Sequence, residues 1–450
     1  MFILLRLYVL CFLLVIVFPL KAQVSHDHEY TIAELKEDFR FVKKQLEDTH
    51  PALYRYTSRK TFRIFFDSLY TSIRGPMTEQ AFLSRLQLLN EKIADGHTMF
   101  LPSAATMAYN NREGRFLPLL VRCLDNKLYI RENNSPDTSL HAGDEILAIN
   151  HVPASKVMPA LLQRQIRDGY NQTYPRWILE QYFAAYYSFV YGQPAQFSLL
   201  IRQGSGDTLL QTVGALTKDS IRRMHRPQPD SAGQWLYPVI EAPAGIRLTT
   251  LPFMREVANR KLAWLKITTF DADVLKATYH QDYQAATDSV FALLKKEPVT
   301  DLVLDLRDNQ GGDFEPGQYL LSYLLKHPLT YLPGGKATKL ITPVPGHFTG
   351  KLYVLMNGGT FSSAAVTAAY LKECTSALLM GEESGGNAYE ISGDPVALQL
   401  PHTGIQAFIS TTNYVIRKGD NRGHGVFPDK DLGEVQGSAN GLIRLIQNEF

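Results

Sequence analysis

The sequence predicts an α/β core preceded by a helical segment and a β-rich module. Three observations carry this. Residues 30–95 repeat apolar side chains near the helical period; from about Phe116 the apolar runs shorten to strand length; beyond residue 261 strand-like and helix-like runs alternate. A chain of 450 residues has room for about three domains.

Composition narrows the function. Lys and Arg number 46 and Asp and Glu 44, a formal net charge of +2, so there is no concentrated basic footprint for a nucleic acid. With 45% hydrophobic and 20% charged residues the chain is globular rather than disordered. Only three cysteines occur (Cys11, Cys123 and Cys374), which excludes a disulfide scaffold and offers no CxxC zinc site. The 12 histidines show no HExxH motif and no close pairing beyond His26 and His28, so neither metal nor cofactor is expected.

The elements follow in order. Residues 7–18 are an unbroken apolar run after Arg6. Pro19 ends it, and Ala22 offers a small residue for cleavage. This reads as a signal peptide over 1–22, hence an exported protein, periplasmic or extracellular. An uncleaved anchor is the alternative, although the run is shorter than the roughly 20 residues of a span. Residues 23–110 form the helical segment. Thr31 and Glu34 stand at capping-box spacing, Leu35, Phe39, Phe41, Val42 and Leu46 repeat helically, and a second helix over 79–93 stops at Asp95-Gly96-His97.

Residues 111–215 form the β-rich module. Strands are expected at 117–123 and 127–131 around Asp125-Asn126, after the Gly143-Asp144 turn, and at 197–202 and 208–213; residues 155–190 are helical and aromatic. Residues 216–260 are Pro-rich and irregular, a linker. The core spans 261–450. Its strands are expected at 262–267, 301–306, 351–356, 377–380, 396–400 and 407–411, and its helices at 277–296, 316–326 and 362–372. No internal repeat or low-complexity tract is present.

Two segments of the core could carry chemistry. Asn357-Gly-Gly-Thr-Phe-Ser-Ser-Ala-Ala365 follows a strand and opens a helix. A serine there lies beside unpaired N–H groups and partial positive charge, which stabilise an oxyanion. Pattern alone does not choose among Thr360, Ser362 and Ser363, and plain helix capping gives the same pattern. Asp305-Leu-Arg-Asp-Asn-Gln-Gly-Gly312 also follows a strand. Gly311-Gly312 permits close backbone approach, suiting an oxyanion hole, a phosphate or an ordinary turn, and it is not a Walker loop. His97 and His424 compete as general base, and either could equally be structural.

Together these segments resemble the C-terminal processing (tail-specific) serine peptidase family. The 305–312 stretch resembles its DLRxNxGG signature and 353–365 its nucleophile segment. Leu379-Met-Gly-Glu-Glu-Ser-Gly-Gly386 resembles its GExTxG loop, Gly425-Val-Phe-Pro-Asp429 its closing GxxPD, and Gly143-Asp144 through Asn150 a PDZ-domain strand and turn. The resemblance covers about 30–435. It implies a ClpP/crotonase-like core, a PDZ-like module and serine peptidase activity on polypeptides. It places the nucleophile on Ser362 and oxyanion donors on Ser363 and on Gly311 or Gly312. The lysine of the Ser-Lys branch falls on Asn387, and no lysine occurs between 373 and 417. The tricorn-like branch instead takes its base from the helical segment, which falls on His97. Its relay serine falls on Gly96 and is absent, and its acid matches Asp420 loosely, with Glu382 and Glu383 competing. Phe116 and Leu117 are the nearest match to a carboxylate-binding loop. The other reading is a non-catalytic carrier of peptides or hydrophobic ligands, with the aromatic run 170–191 lining a groove.

Overall fold

The computed structural model describes residues 28–224, 245–250, 261–297 and 299–433. They divide into two units. One takes the described residues of Met1–Arg167, Pro175–Gln228 and Ser392–Asn413; the other takes those of Asp168–Tyr174, Pro229–Ile391 and Tyr414–Phe450. The expected signal peptide and most of the expected linker lie outside the described residues. Among those described, no helix is long and apolar enough to cross a membrane.

In the first unit the expected capping box is present: Thr31 Oγ1 accepts from Glu34 N–H, and Glu34 reaches back to Thr31 N–H at 2.8 Å, opening the helix Ile32–Thr49. Leu35, Phe39, Val42 and Leu46 fall on one face of it and are buried. They pack with Phe62 and Phe66 of the helix Arg59–Thr71 and Phe82 of the helix Glu79–Leu86, with Phe39 and Phe66 centroids 4.3 Å apart. The helix Leu89–Ile93 then stops at Ala94, which adopts the left-handed conformation.

The same core takes in Leu400, Ile405, Ala407 and Ile409. The hairpin of strands Val396–Gln399 and Gln406–Ile409 pairs with Met99–Leu101, so residues 392–413 join this unit and not the α/β core to which sequence order assigned them. Buried Asp38 fixes the connection. It accepts His402 N–H and Thr403 N–H at 2.9 Å each and Thr403 Oγ1–H at 2.7 Å.

The β-rich module is an antiparallel sheet in the order Thr208–Gly214, Gln196–Arg202, Glu145–Ile149, Lys127–Asn133, Leu119–Leu124, with Val152–Pro153 paired to Glu145–Ile149. Asp125 and Asn126 both have positive φ, 48° and 59°, the mirror-type turn that a two-residue hairpin requires. The aromatic stretch forms two helices, Ala154–Leu162 and Thr173–Tyr191, the second broken by non-helical dihedrals at Tyr182.

In the second unit one sheet runs Ile246–Thr250, Leu262–Ile267, Asp301–Asp305, Lys351–Met356, Leu378–Gly381, Lys430–Asp431. All pairs are parallel except the first. Its first strand falls inside the stretch read as linker, so the sheet begins before residue 261. Alternate residues serve opposite faces: Leu302, Leu304, Val354 and Met356 join one cluster, Val303, Tyr353 and Leu355 the other. Burial on both faces is what a parallel sheet needs. The expected helix over 277–296 is two helices, Ala272–Tyr279 and Tyr283–Lys296. His280 turns left-handed at the break, and Asp282 caps the second. The helices Phe314–Leu324 and Ser363–Cys374 follow the second and third parallel crossover strands. Cys123 and Cys374 are free, one in each unit.

Candidate active site

Adjacent parallel strands deliver their following loops to the same end of a sheet, and ligands bind there in open α/β folds. Asp301–Asp305 and Lys351–Met356 are such neighbours, so the loops 306–313 and 357–362 meet. Phe361 N–H donates to Asn309 O at 3.0 Å, and Thr360 Oγ1 donates to Leu306 O at 2.9 Å. Asn357 closes the junction, with Oδ1 accepting Asp308 N–H at 3.0 Å and Nδ2 donating to Asp308 Oδ1 at 2.9 Å. Below it, Asp305 pairs with Arg307 at 2.8 Å and Lys266 at 3.2 Å. Burial pushes the Asp305 carboxyl up, but the charges of Lys266 and Arg307 and the Arg307 hydrogen bonds outweigh it and hold the group well below the usual carboxylate range.

This lacing separates the three hydroxyls. Thr360 is buried and its Oγ1 also accepts Asn357 N–H at 3.1 Å, a structural role. Ser363 is fully buried in the first helical turn. Ser362 is half-buried at the N-cap, its side chain makes no capping hydrogen bond, and its φ of 50° and ψ of −129° lie where a side chain is strained. A strained serine on a sharp strand-to-helix turn is the geometry of a nucleophile elbow.

Gly311 lies against it, and Gly312 packs closely on Phe270 and Asp271. Their φ values are 85° and 136°, and a Cβ on Gly311 would come within 2.8 Å of Ser363 N and 2.9 Å of Ser362 Cβ. The two glycines named as donors are not equivalent. Gly311 N–H donates to Asn309 Oδ1 at 2.9 Å and is committed. Gly312 N–H and Ser363 N–H make no hydrogen bond among the described residues.

A third loop completes this side. Gly385 N–H donates to Thr360 O at 2.9 Å, and a Cβ on Gly386 would lie 3.1 Å from Ser362 N. At the position where the Ser-Lys branch has its lysine, Asn387 is fully buried. Its Oδ1 accepts Tyr389 N–H at 2.8 Å, its Nδ2 donates to Asn421 Oδ1 at 3.0 Å, and its N–H donates to Asp168 at 3.1 Å. Glu383 Oε1 accepts Gly425 N–H at 2.7 Å and lies 3.2 Å from His424 Nδ1, which ties His424 to this loop; Glu382 is half-buried.

Asp420 needs correction. It is exposed and forms a surface ion pair with Arg422 at 2.8 Å, which does not suit a carboxylate that must orient a buried imidazole. Phe116 and Leu117 are also corrected. Both are buried, and Phe116 pairs with Leu216 in a two-stranded ladder, so neither side chain lines an open groove. The aromatic run is a packing helix: Trp177, Ile178, Phe183 and Tyr187 are all buried.

In the first unit, His97 is buried in the turn just before Met99–Leu101. The missed residue is Asp95. Its Oδ1 accepts His97 N–H at 2.8 Å and lies 4.0 Å from His97 Nδ1. Asp95-Gly96-His97 was visible in the sequence, but only as a helix stop.

These motifs lie within the stretch that is similar to known proteins. The profile described as "Peptidase family S41" matches residues 261–431. "Carboxyl-terminal-processing peptidase 2, chloroplastic" of Arabidopsis thaliana is 30% identical over 131 residues, 28% of this chain and 24% of that protein. "C-terminal processing peptidase, chloroplastic" of Tetradesmus obliquus is 32% identical over 133 residues, 29% of this chain and 27% of that protein. The matched stretch thus spans about a quarter of these relatives. The crystal structure of mature CPAF superposes with a TM-score of 0.67 over 93% of this chain and 98% of that one at 16% identity, a likeness of fold.

Proposed function

We propose that this chain, whose residues 261–431 match the model of peptidase family S41, is a serine peptidase that cleaves polypeptide chains with Ser362 as nucleophile. The observation that carries the reading is the strained, half-buried Ser362 at a helix N-terminus with Gly311 packed against it, while the N–H groups of Ser363 and Gly312 make no hydrogen bond among the described residues. A hydroxyl is a weak nucleophile until a base takes its proton. His97 is the base in this reading, supported by its match to the histidine of the tricorn-like branch and by the carboxylate beside it. Ser362 Oγ attacks the scissile carbonyl carbon as His97 accepts the hydroxyl proton. The oxyanion lies on the two N–H groups. The C–N bond then breaks, the proton passes to the leaving amine, and water releases the acyl group by the reverse proton path.

The parallel sheet with helical crossovers supports a ClpP/crotonase-like core, and the antiparallel hairpins of 119–214 support a PDZ-like module. The apolar run at 7–18 supports export. The test is turnover of a mixed peptide library, read by mass spectrometry. Wild type cleaves, while Ser362→Ala and His97→Ala lose cleavage. Equal turnover by wild type and His97→Ala removes the histidine from the mechanism.

A further inference from the structure

The expected acid, Asp420, is an exposed ion pair, and the relay serine before the histidine is replaced by Gly96. In the reaction the His97 imidazole gains positive charge, which a fixed carboxylate close to it stabilises. Within the first unit the candidate is Asp95, and its surroundings are built. The helix Ile32–Thr49 ends at His50, whose N–H donates to Leu46 O at 3.1 Å, and Pro51 prevents continuation. The His50 ring is buried. Its Nδ1 accepts Ala52 N–H at 3.1 Å. A ring nitrogen that accepts carries no proton, so the proton sits on Nε2. Nε2 then donates to Asp95 Oδ2 at 2.7 Å.

The remaining Asp95 contacts are also specific. Thr98 Oγ1 lies 3.1 Å from Oδ2, and Thr98 is itself held by Ser410 N–H at 3.1 Å from the returning hairpin. Oδ1 faces the His97 side, 2.8 Å from its N–H and 4.0 Å from its Nδ1. Burial pushes the Asp95 carboxyl up, but the hydrogen bonds it accepts from His50 and from His97 N–H outweigh it and hold the group well below the usual range. Asp95 is therefore a fixed carboxylate with one oxygen anchored by His50 and Thr98 and the other turned to His97.

We propose that Asp95 is the carboxylate that serves the His97 imidazole, and that His50 is the positioning residue that fixes it. The inference rests on the serine-peptidase reading. In this account Asp95 holds no substrate and transfers no proton; it stabilises the imidazolium formed when His97 takes the Ser362 proton.

The test uses the full chain and a fluorophosphonate probe, separating the maximal labelling rate from the concentration for half-maximal rate. Asp95→Asn lowers the maximal rate at least about a hundredfold, the scale of losing a triad carboxylate, and leaves the half-saturating concentration within about twofold. His50→Gln, whose amide places a donor where Nε2 stood, keeps the rate within about fivefold of wild type, and His50→Leu falls as far as Asp95→Asn. If Asp95→Asn does not fold, the His50 pair carries the test. Wild-type rates in Asp95→Asn, or equal loss in His50→Gln and His50→Leu, overturn the inference. Ser362→Ala and His97→Ala run alongside. Labelling retained in both sinks the peptidase reading itself, whereas labelling lost in both and kept in Asp95→Asn sinks only the role of Asp95.

Discussion

Asn309 Oδ1 accepts Gly311 N–H at 2.9 Å, and this single bond separates two glycines that are equivalent in the sequence. It occupies one amide of the Gly-Gly turn, while the next, Gly312 N–H, makes no hydrogen bond among the described residues. Asn309 Nδ2 meanwhile donates to Ile267 O at 3.1 Å, and Asn309 O accepts Phe361 N–H at 3.0 Å. One buried amide thus ties a strand end, the glycine turn and the loop that carries Ser362 together.

Asn309→Ala removes both side-chain bonds and leaves Gly311 N–H and Ile267 O buried without partners. The expected loss of stability is about 1–3 kcal/mol for such a group, read as a lower urea midpoint with unchanged slope. A midpoint equal to wild type contradicts the structural role.

Gly311→Ala places a Cβ at 2.8 Å from Ser363 N and Phe361 O in a backbone with φ of 85°. The loops must part. Labelling of Ser362 by a fluorophosphonate is expected to slow about a hundredfold, the scale of losing one oxyanion donor. A normal labelling rate in folded Gly311→Ala shows that the close approach is dispensable.

The carboxyls of Asp305 and Asp95 are both held below their ordinary range in the folded chain. The unfolded groups titrate near about 3.9. A depressed folded value contributes stability that is present above the unfolded pKa and is lost as pH falls through the folded one. The thermal midpoint is therefore expected to hold from about pH 6 to about pH 5 and to drop below about pH 4. Asp305→Asn is less stable at pH 6 and has a shallower acid slope. Parallel acid slopes for this variant and wild type contradict the assignment. Asp305→Ala, which leaves buried Arg307 without that carboxylate, costs about 3–5 kcal/mol.

Local physics made much of this legible from sequence. The Thr31–Glu34 box, the Asp125-Asn126 turn and the parallel strands are set by neighbours in the chain. The loop 357–365 is legible as a candidate segment, but not as a choice among Thr360, Ser362 and Ser363, because that choice depends on bonds to Leu306 and Asn309 some fifty residues away. The hairpin 396–409 read correctly as strands and incorrectly as core. Its partners, Met99–Leu101 and Asp38, lie more than 300 residues away in the chain, and no local pattern encodes such a pairing. Asp95 was hidden for the same reason. Its meaning comes from His50, 45 positions earlier. Phe116 and Leu117 misled because an apolar loop motif reads alike whether it lines a groove or fills a core.

The most direct measurement is the site of a fluorophosphonate adduct on the full chain, mapped by peptide mass spectrometry. One adduct is expected, on Ser362, abolished in Ser362→Ala and retained in Ser363→Ala. An adduct on Ser363 or Thr360, or labelling that persists in Ser362→Ala, contradicts it.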